Sequence, residues 1–99
     1  MEKKYKKMIS KMPVGESNEE WFLYMLRCNN GSLYTGVTNN LERRLKMHEE
    51  GKAAKYTRAR RPVELVYQEV CSGRKEALMR EWKVKELPKV EKERLVTGI

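Results

Sequence analysis

The sequence predicts an α+β fold, a small three-stranded antiparallel sheet with flanking helices in the order β-β-α-β-α-α. Three observations predict it. Two β-type runs, Trp21 to Cys28 and Ser32 to Val37, flank the turn Asn29-Asn30-Gly31. Pro62 introduces a further β-branched run, Val63 to Val70. The stretches after the hairpin and after the third strand carry helical spacing and helix punctuation.

Taken in order, residues 1–20 are polar, contain Pro13 and Gly15, and read as a flexible leader, with a helical turn near Tyr5 to Met12. The domain proper is expected over 21–97. Asn39 is placed to cap the first helix, with Glu42 three residues on as a capping-box partner. That helix should reach about Glu50 and stop at Gly51. Lys52 to Arg61 is a basic connection, and Ser72-Gly73 a turn. A second long helix is expected over Arg74 to Leu87. Pro88 suits the first turn of a third, which ends before Gly98.

Ninety-nine residues suffice for one modest core. The net charge of +8, with 36% charged residues, points to a polyanionic partner, nucleic acid first. All 14 acidic residues are glutamates and nothing resembles a clustered pair of acidic metal ligands, which argues against a two-metal site. Cys28 and Cys71 lack metal or redox spacing and read as buried thiols in a reducing compartment. No apolar run is long enough to cross a membrane, and Met1 to Glu20 lacks the apolar middle of a signal peptide. A cytoplasmic protein with no membrane association is expected; its protein partners stay unassigned.

Strand parity and helix geometry sort the candidate site residues. A two-residue Asn30-Gly31 loop pairs Tyr34 with Arg27 and puts Tyr24 and Tyr34 on opposite faces. A three-residue loop with Gly31 left-handed pairs Leu26 with Tyr34 and Tyr24 with Gly36. Both tyrosines then share a face, and Gly36 leaves room over Tyr24. On the first helix, Leu41, Leu45 and His48 share the sheet-facing stripe. Arg44 lies beside that stripe, whereas Arg43 is rotated about 100° toward solvent. On the second helix, Ala77, Leu78, Trp82 and Val84 form an apolar arc with Glu81 in its middle. An inward carboxylate needs a cation, either an ion-pair partner such as Arg44 or Lys85, or a metal. Glu76 and Glu86 fall off the arc and read as surface charges. Lys52, Lys55, Arg58, Arg60 and Arg61, with no acid among them, favour phosphate binding over a merely solvated loop. Tyr56 among them is either a packing residue or a nucleic-acid contact.

Together these residues resemble the GIY-YIG nuclease family. Its first motif is similar to Phe22-Leu23-Tyr24, where the tyrosine is kept. Its second is similar to Tyr34-Thr35-Gly36, where tyrosine and glycine are kept. The family's arginine on the next helix matches Arg44, its His or Tyr one turn later matches His48, and its metal-binding glutamate matches Glu81. The resemblance covers Trp21 to Val96 and is strongest to short stand-alone bacterial members, similar to the nuclease domains of the excision-repair nuclease and of a related resolvase. Segments like Gly51 to Arg58 recur in them before the third strand. Phe22 replaces the glycine of the first motif, Val37 replaces a lysine that some members carry, and no asparagine follows Asn40. Neither a RING domain nor a helix-hairpin-helix module is read in the chain.

The resemblance implies hydrolysis of DNA phosphodiester bonds, with one Mg²⁺ or Mn²⁺ held by Glu81. It implies that Tyr24 helps deprotonate the attacking water, that Tyr34 and His48 position water and phenol, and that Arg44 braces the phosphate. The expected function is a structure-selective or single-strand-selective endonuclease acting in DNA repair or recombination. The alternatives are a non-catalytic nucleic-acid-binding domain on the same scaffold and a basic subunit that uses the hairpin to bind protein.

Overall fold

A computed structural model describes residues 20–98 of the chain. The expected leader, 1–20, lies outside the described residues except for Glu20. Strand β1, Trp21–Arg27, is the centre of a sheet ordered β2-β1-β3, with β2 at Leu33–Thr38 and β3 at Glu64–Cys71. Both neighbours pair with it antiparallel. The central position explains its sequence. Phe22 to Leu26 are all buried, with no polar alternation, because both faces are covered.

The hairpin register is the three-residue solution. Tyr24 pairs with Gly36 and Leu26 with Tyr34. The Gly31 amide donates to the Cys28 carbonyl and the Cys28 amide to the Ser32 carbonyl, each at 2.9 Å, and Gly31 has φ +84°. This is a tight turn closed by a left-handed glycine.

Helix α1, Leu41–Glu49, packs Leu41, Leu45 and His48 inward. Its cap is Asn40 rather than the expected Asn39. The Asn40 carboxamide accepts from the Arg43 amide at 3.1 Å, and Thr38 Oγ1 holds the Asn40 amide at 3.1 Å. Glu42 therefore sits one position too early for a capping box. The helix ends at Gly51, φ +76°, with the Lys52 amide bonded to the Met47 carbonyl and the Gly51 amide to the His48 carbonyl. That double closure satisfies the last carbonyls and turns the chain back. The basic connection contains one addition to the expected order, a four-residue helix α2, Lys55–Arg58.

Helix α3 spans Arg74–Glu86, and α4 spans Lys89–Thr97 with Pro88 at its N-cap and Gly98 left-handed at its end. One face of the sheet, with Phe22, Tyr24 and Leu26, packs on Leu41 and Leu45 of α1. The other, with Leu23 and Met25, packs on Ala77 and Val84 of α3 and Leu95 and Val96 of α4. The expected arc of α3 needs correction, because Leu78 is 39% exposed and Trp82 66%. The covered line is Ala77, Glu81, Val84, spaced i, i+4, i+7. Leu78 and Trp82 each follow a member of that line by one position, which rotates them about 100° away from the narrow sheet.

Candidate active site

The site grows from the close approach of Tyr24 to Gly36. A Cβ on Gly36 would lie 2.6 Å from Tyr24 Oη and 2.8 Å from Cζ, so glycine is demanded here by space. The Tyr24 ring lies buried in that space, and its hydroxyl reaches Nε2 of His48 at 2.7 Å. Tyr34 completes a three-ring cluster, with centroids 6.4 Å from Tyr24 and 5.2 Å from His48. Such tilted and edge-on contacts hold rings in fixed orientation.

The cluster is braced from outside. Tyr56 stacks on Tyr34 at 6.1 Å, its hydroxyl donates to Ser32 Oγ at 2.8 Å, and the Arg60 guanidinium lies over its ring at 3.8 Å from the centroid. His48 Nδ1 lies 2.8 Å from Thr57 Oγ1, and both residues are fully buried. Thr57 is a site residue that sequence reasoning missed. A lone threonine in a basic run has no period to mark it, and only the reversal at Gly51 brings α2 back onto α1.

Burial pushes the Tyr24 phenol up to about 12, and the Arg44 guanidinium beside it works in the opposite direction. Burial and then the Arg44 charge push His48 down to about 4, so the imidazole is neutral at pH 7. Arg44 is half-buried, whereas Arg43 is exposed, as helix geometry predicts. The Arg44 Nε group is buried and has no hydrogen-bond partner. A buried charged donor without an acceptor is costly, and a phosphate oxygen would supply one.

Glu81 comes from the opposite layer. Helix α3 packs chiefly on β2 and β1, and the carboxylate is within electrostatic reach of Tyr24, whose proton it helps retain. Its side chain is mostly covered and pairs with Lys85 Nζ at 3.1 Å, the ion-pair alternative raised by the sequence. Among the described residues no group of three or more His, Cys, Asp or Glu could hold a metal. One carboxylate still fits an ion that keeps several waters and binds phosphate oxygens, as Mg²⁺ does. Lys85 is half-exposed, so it can swing away without losing a buried contact. Cys28 and Cys71 are free, buried thiols.

The basic segment divides. Lys52, Lys55 and Arg58 are exposed and line a shallow depression with Gly51, Ala53 and Ala54. Arg61 instead donates to the Glu49 carbonyl at 3.2 Å and the Arg58 carbonyl at 3.1 Å, closing the end of α1. A larger depression on α3, lined by Ser72, Lys75, Met79 and Lys83 among others, shares no residue with the ring cluster. Open charge chemistry rather than concavity distinguishes the site. Among the described residues no helix is long and apolar enough to cross a membrane.

Comparison with known proteins bears on the family and the fold. The GIY-YIG catalytic-domain model matches residues 20–94. A UPF0213 protein of Oceanobacillus iheyensis is 51% identical over 79 residues, covering 80% of this chain and 92% of that one. A UPF0213 protein of Bacillus licheniformis is 52% identical over 81 residues, covering 82% of each. The solution NMR structure of a UPF0213 protein from Bacillus halodurans aligns with a TM-score of 0.52 at 44% identity, covering 79% of this chain and 83% of that one.

Proposed function

The chain belongs to the GIY-YIG catalytic-domain family, a nuclease family, and on that premise we propose that it is a metal-dependent endonuclease that hydrolyses DNA phosphodiester bonds. The observation that carries the proposal is the Arg44 Nε group, buried and unpartnered beside a neutral phenol–imidazole pair. A scissile phosphate gives that donor its acceptor, and it brings the reacting phosphorus to Tyr24.

The protein's own groups then divide the work. Arg44 binds the phosphate and stabilises charge developing on its oxygens. Tyr24 directs its proton to His48 Nε2, and its oxygen, one lone pair of which faces the Arg44 guanidinium, accepts a proton from water with the other. As water attacks phosphorus, its proton passes to Tyr24 Oη while the phenol proton passes to Nε2. The new P–O bond forms as the bond to the leaving oxygen breaks, and solvent protonates that oxygen. Phosphate also neutralises Arg44, one of the two causes that hold the His48 pKa low, so substrate itself makes the imidazole a better acceptor. Tyr34 keeps both rings in place. Glu81 would hold one Mg²⁺ or Mn²⁺, which when bound supplies Lewis-acid stabilisation of the leaving oxygen. Lys52, Lys55 and Arg58 would carry DNA-backbone contacts, while Tyr56, Arg60 and Arg61, expected to join them, hold the segment that presents them. Structure or single-strand selectivity, a role in repair or recombination, and a cytoplasmic location complete the reading.

The Glu81–Lys85 ion pair favours a second reading, a nucleic-acid-binding domain without catalysis. One assay separates them. Purified protein is incubated with labelled single-stranded, duplex, flap and branched DNA in Mg²⁺, Mn²⁺ or EDTA, beside Glu81→Ala and Arg44→Ala. Cleavage that needs metal and is lost in both variants supports the nuclease. Binding without cleavage under every condition supports the second reading.

A further inference from the structure

Thr57 is buried behind His48, on the side away from Tyr24, and contributes no charge and no exposed surface. Its hydroxyl makes two contacts, one to His48 Nδ1 at 2.8 Å and one to the Ala54 carbonyl at 3.1 Å. A carbonyl only accepts, and a hydroxyl has one proton. With that proton on Ala54, as the Thr57-to-Ala54 hydrogen bond places it, the Thr57 oxygen accepts from His48. Nδ1 must then carry the ring proton. A neutral imidazole has one N–H, so Nε2 is bare and Tyr24 must donate to it across the 2.7 Å contact.

We propose that Thr57 is a positioning residue that fixes the Nδ1–H tautomer of His48 and thereby sets the direction in which the Tyr24 proton can move. An unconstrained neutral histidine favours the opposite, Nε2–H form. In that form the imidazole donates to Tyr24, its nitrogen facing the phenol is already occupied, and the phenol has nowhere to pass its proton. The anchoring is local and stiff. Ala54 is the N-cap of α2, and its carbonyl also accepts the Arg58 amide at 3.0 Å, so the acceptor that orients Thr57 is itself held by the helix. Second partners of this kind set which ring nitrogen is available for chemistry. The inference about proton direction rests on the proposed hydrolysis; the tautomer itself does not.

His48 is the single histidine of the chain, so its ring signals identify themselves. Long-range ¹H–¹⁵N spectra of the ¹⁵N-labelled full chain at pH 7, without DNA or metal, should show a protonated Nδ1 and a bare Nε2. Thr57→Ser should keep that pattern, and Thr57→Val should shift it toward Nε2–H. In single-turnover cleavage with Mn²⁺, Thr57→Val should lower the rate about 100-fold, the low end of general-base effects, with DNA affinity within about twofold of wild type. Thr57→Ser should restore the rate to within a few-fold. An Nε2–H signal in the wild-type protein overturns the proposal, and so does an unchanged Nδ1–H signal in a folded Thr57→Val. The wild-type and Thr57→Ser spectra decide the tautomer even if the valine variant does not fold. If the wild-type protein cuts no DNA, the nuclease reading fails with the role in proton transfer, while the spectra still decide the tautomer.

Discussion

Tyr24, on the α1 side of the sheet, and Tyr67, on the α3 and α4 side, both have phenols pushed up to about 12, and burial is the main cause for each. Their partners differ. Tyr67 donates to the Glu69 carboxylate, which Arg80 holds with two hydrogen bonds of 2.8 Å. Each charge there has its opposite, and the network closes on itself. Tyr24 donates to a neutral imidazole and sits beside a guanidinium whose Nε has no partner. Both phenols are hard to ionise, yet only Tyr24 stands next to a buried guanidinium nitrogen without an acceptor. A displaced pKa therefore does not distinguish a site from a strut; the open charge does.

That contrast breaks most visibly in a paired substitution. Tyr24→Phe should lower the cleavage rate by about 10²- to 10⁴-fold, the range for loss of a general acid–base group. Tyr67→Phe should leave cleavage within about twofold, and Arg80→Met should do the same while lowering the melting temperature by the equivalent of about 1 kcal/mol. Equal losses of cleavage on the two faces would mean that the distinction between them is wrong.

A smaller effect sharpens the contrast through pH. His48 has an ordinary value of 6.5 and a folded value of about 4, so between them the unfolded chain binds the extra proton. Stability therefore falls as pH drops from 6.5 toward 4, by roughly 3 kcal/mol in all, and this contribution changes no further below that window. Glu69 behaves differently. Arg80 holds its carboxyl below the ordinary 4.5, so its contribution is present above that value and is lost only as pH falls through the lower folded one. Urea titrations from pH 7 to pH 3 should show two separate declines, and His48→Gln should remove the one nearer neutrality. Persistence of that decline in the variant would assign it elsewhere.

The smallest effect concerns the space under Tyr24. Gly36→Ala places a methyl 2.6 Å from Tyr24 Oη and must move the ring off His48. It should cost about 1–3 kcal/mol, the usual range for overpacking, and should lower cleavage at the same time. Val37→Ala, on the other face of the same strand, should destabilise without a comparable loss of cleavage. Denaturation and single-turnover assays on the two variants check this directly.

Much of this arrangement was legible from local rules. Strand parity and a left-handed Gly31 settle which face Tyr34 takes, and a 100° step on α1 separates Arg44 from Arg43. The failures share a physical cause. Asn39 and Asn40 have the same side chain, and only the three-dimensional turn at Thr38 decides which one caps α1. Leu78 and Trp82 are apolar, but composition does not reveal how narrow a sheet their helix will cover. Thr57 belongs to a helix too short to show a period, and its role depends on a carbonyl and a ring brought together by the fold. The i, i+4 pair of Glu81 and Lys85 could be read as a possibility but not chosen over a metal.

The hairpin turn at Asn29 to Gly31 has an evolutionary corollary. Loops usually drift in length because solvent absorbs the change. Here one residue more or fewer would slip β2 against β1 by a position and send Tyr34 to the far side of the sheet. If the site works as proposed, the number of residues in this turn matters as much to it as any of its side chains, and insertions there should be lost over evolution even where substitutions pass.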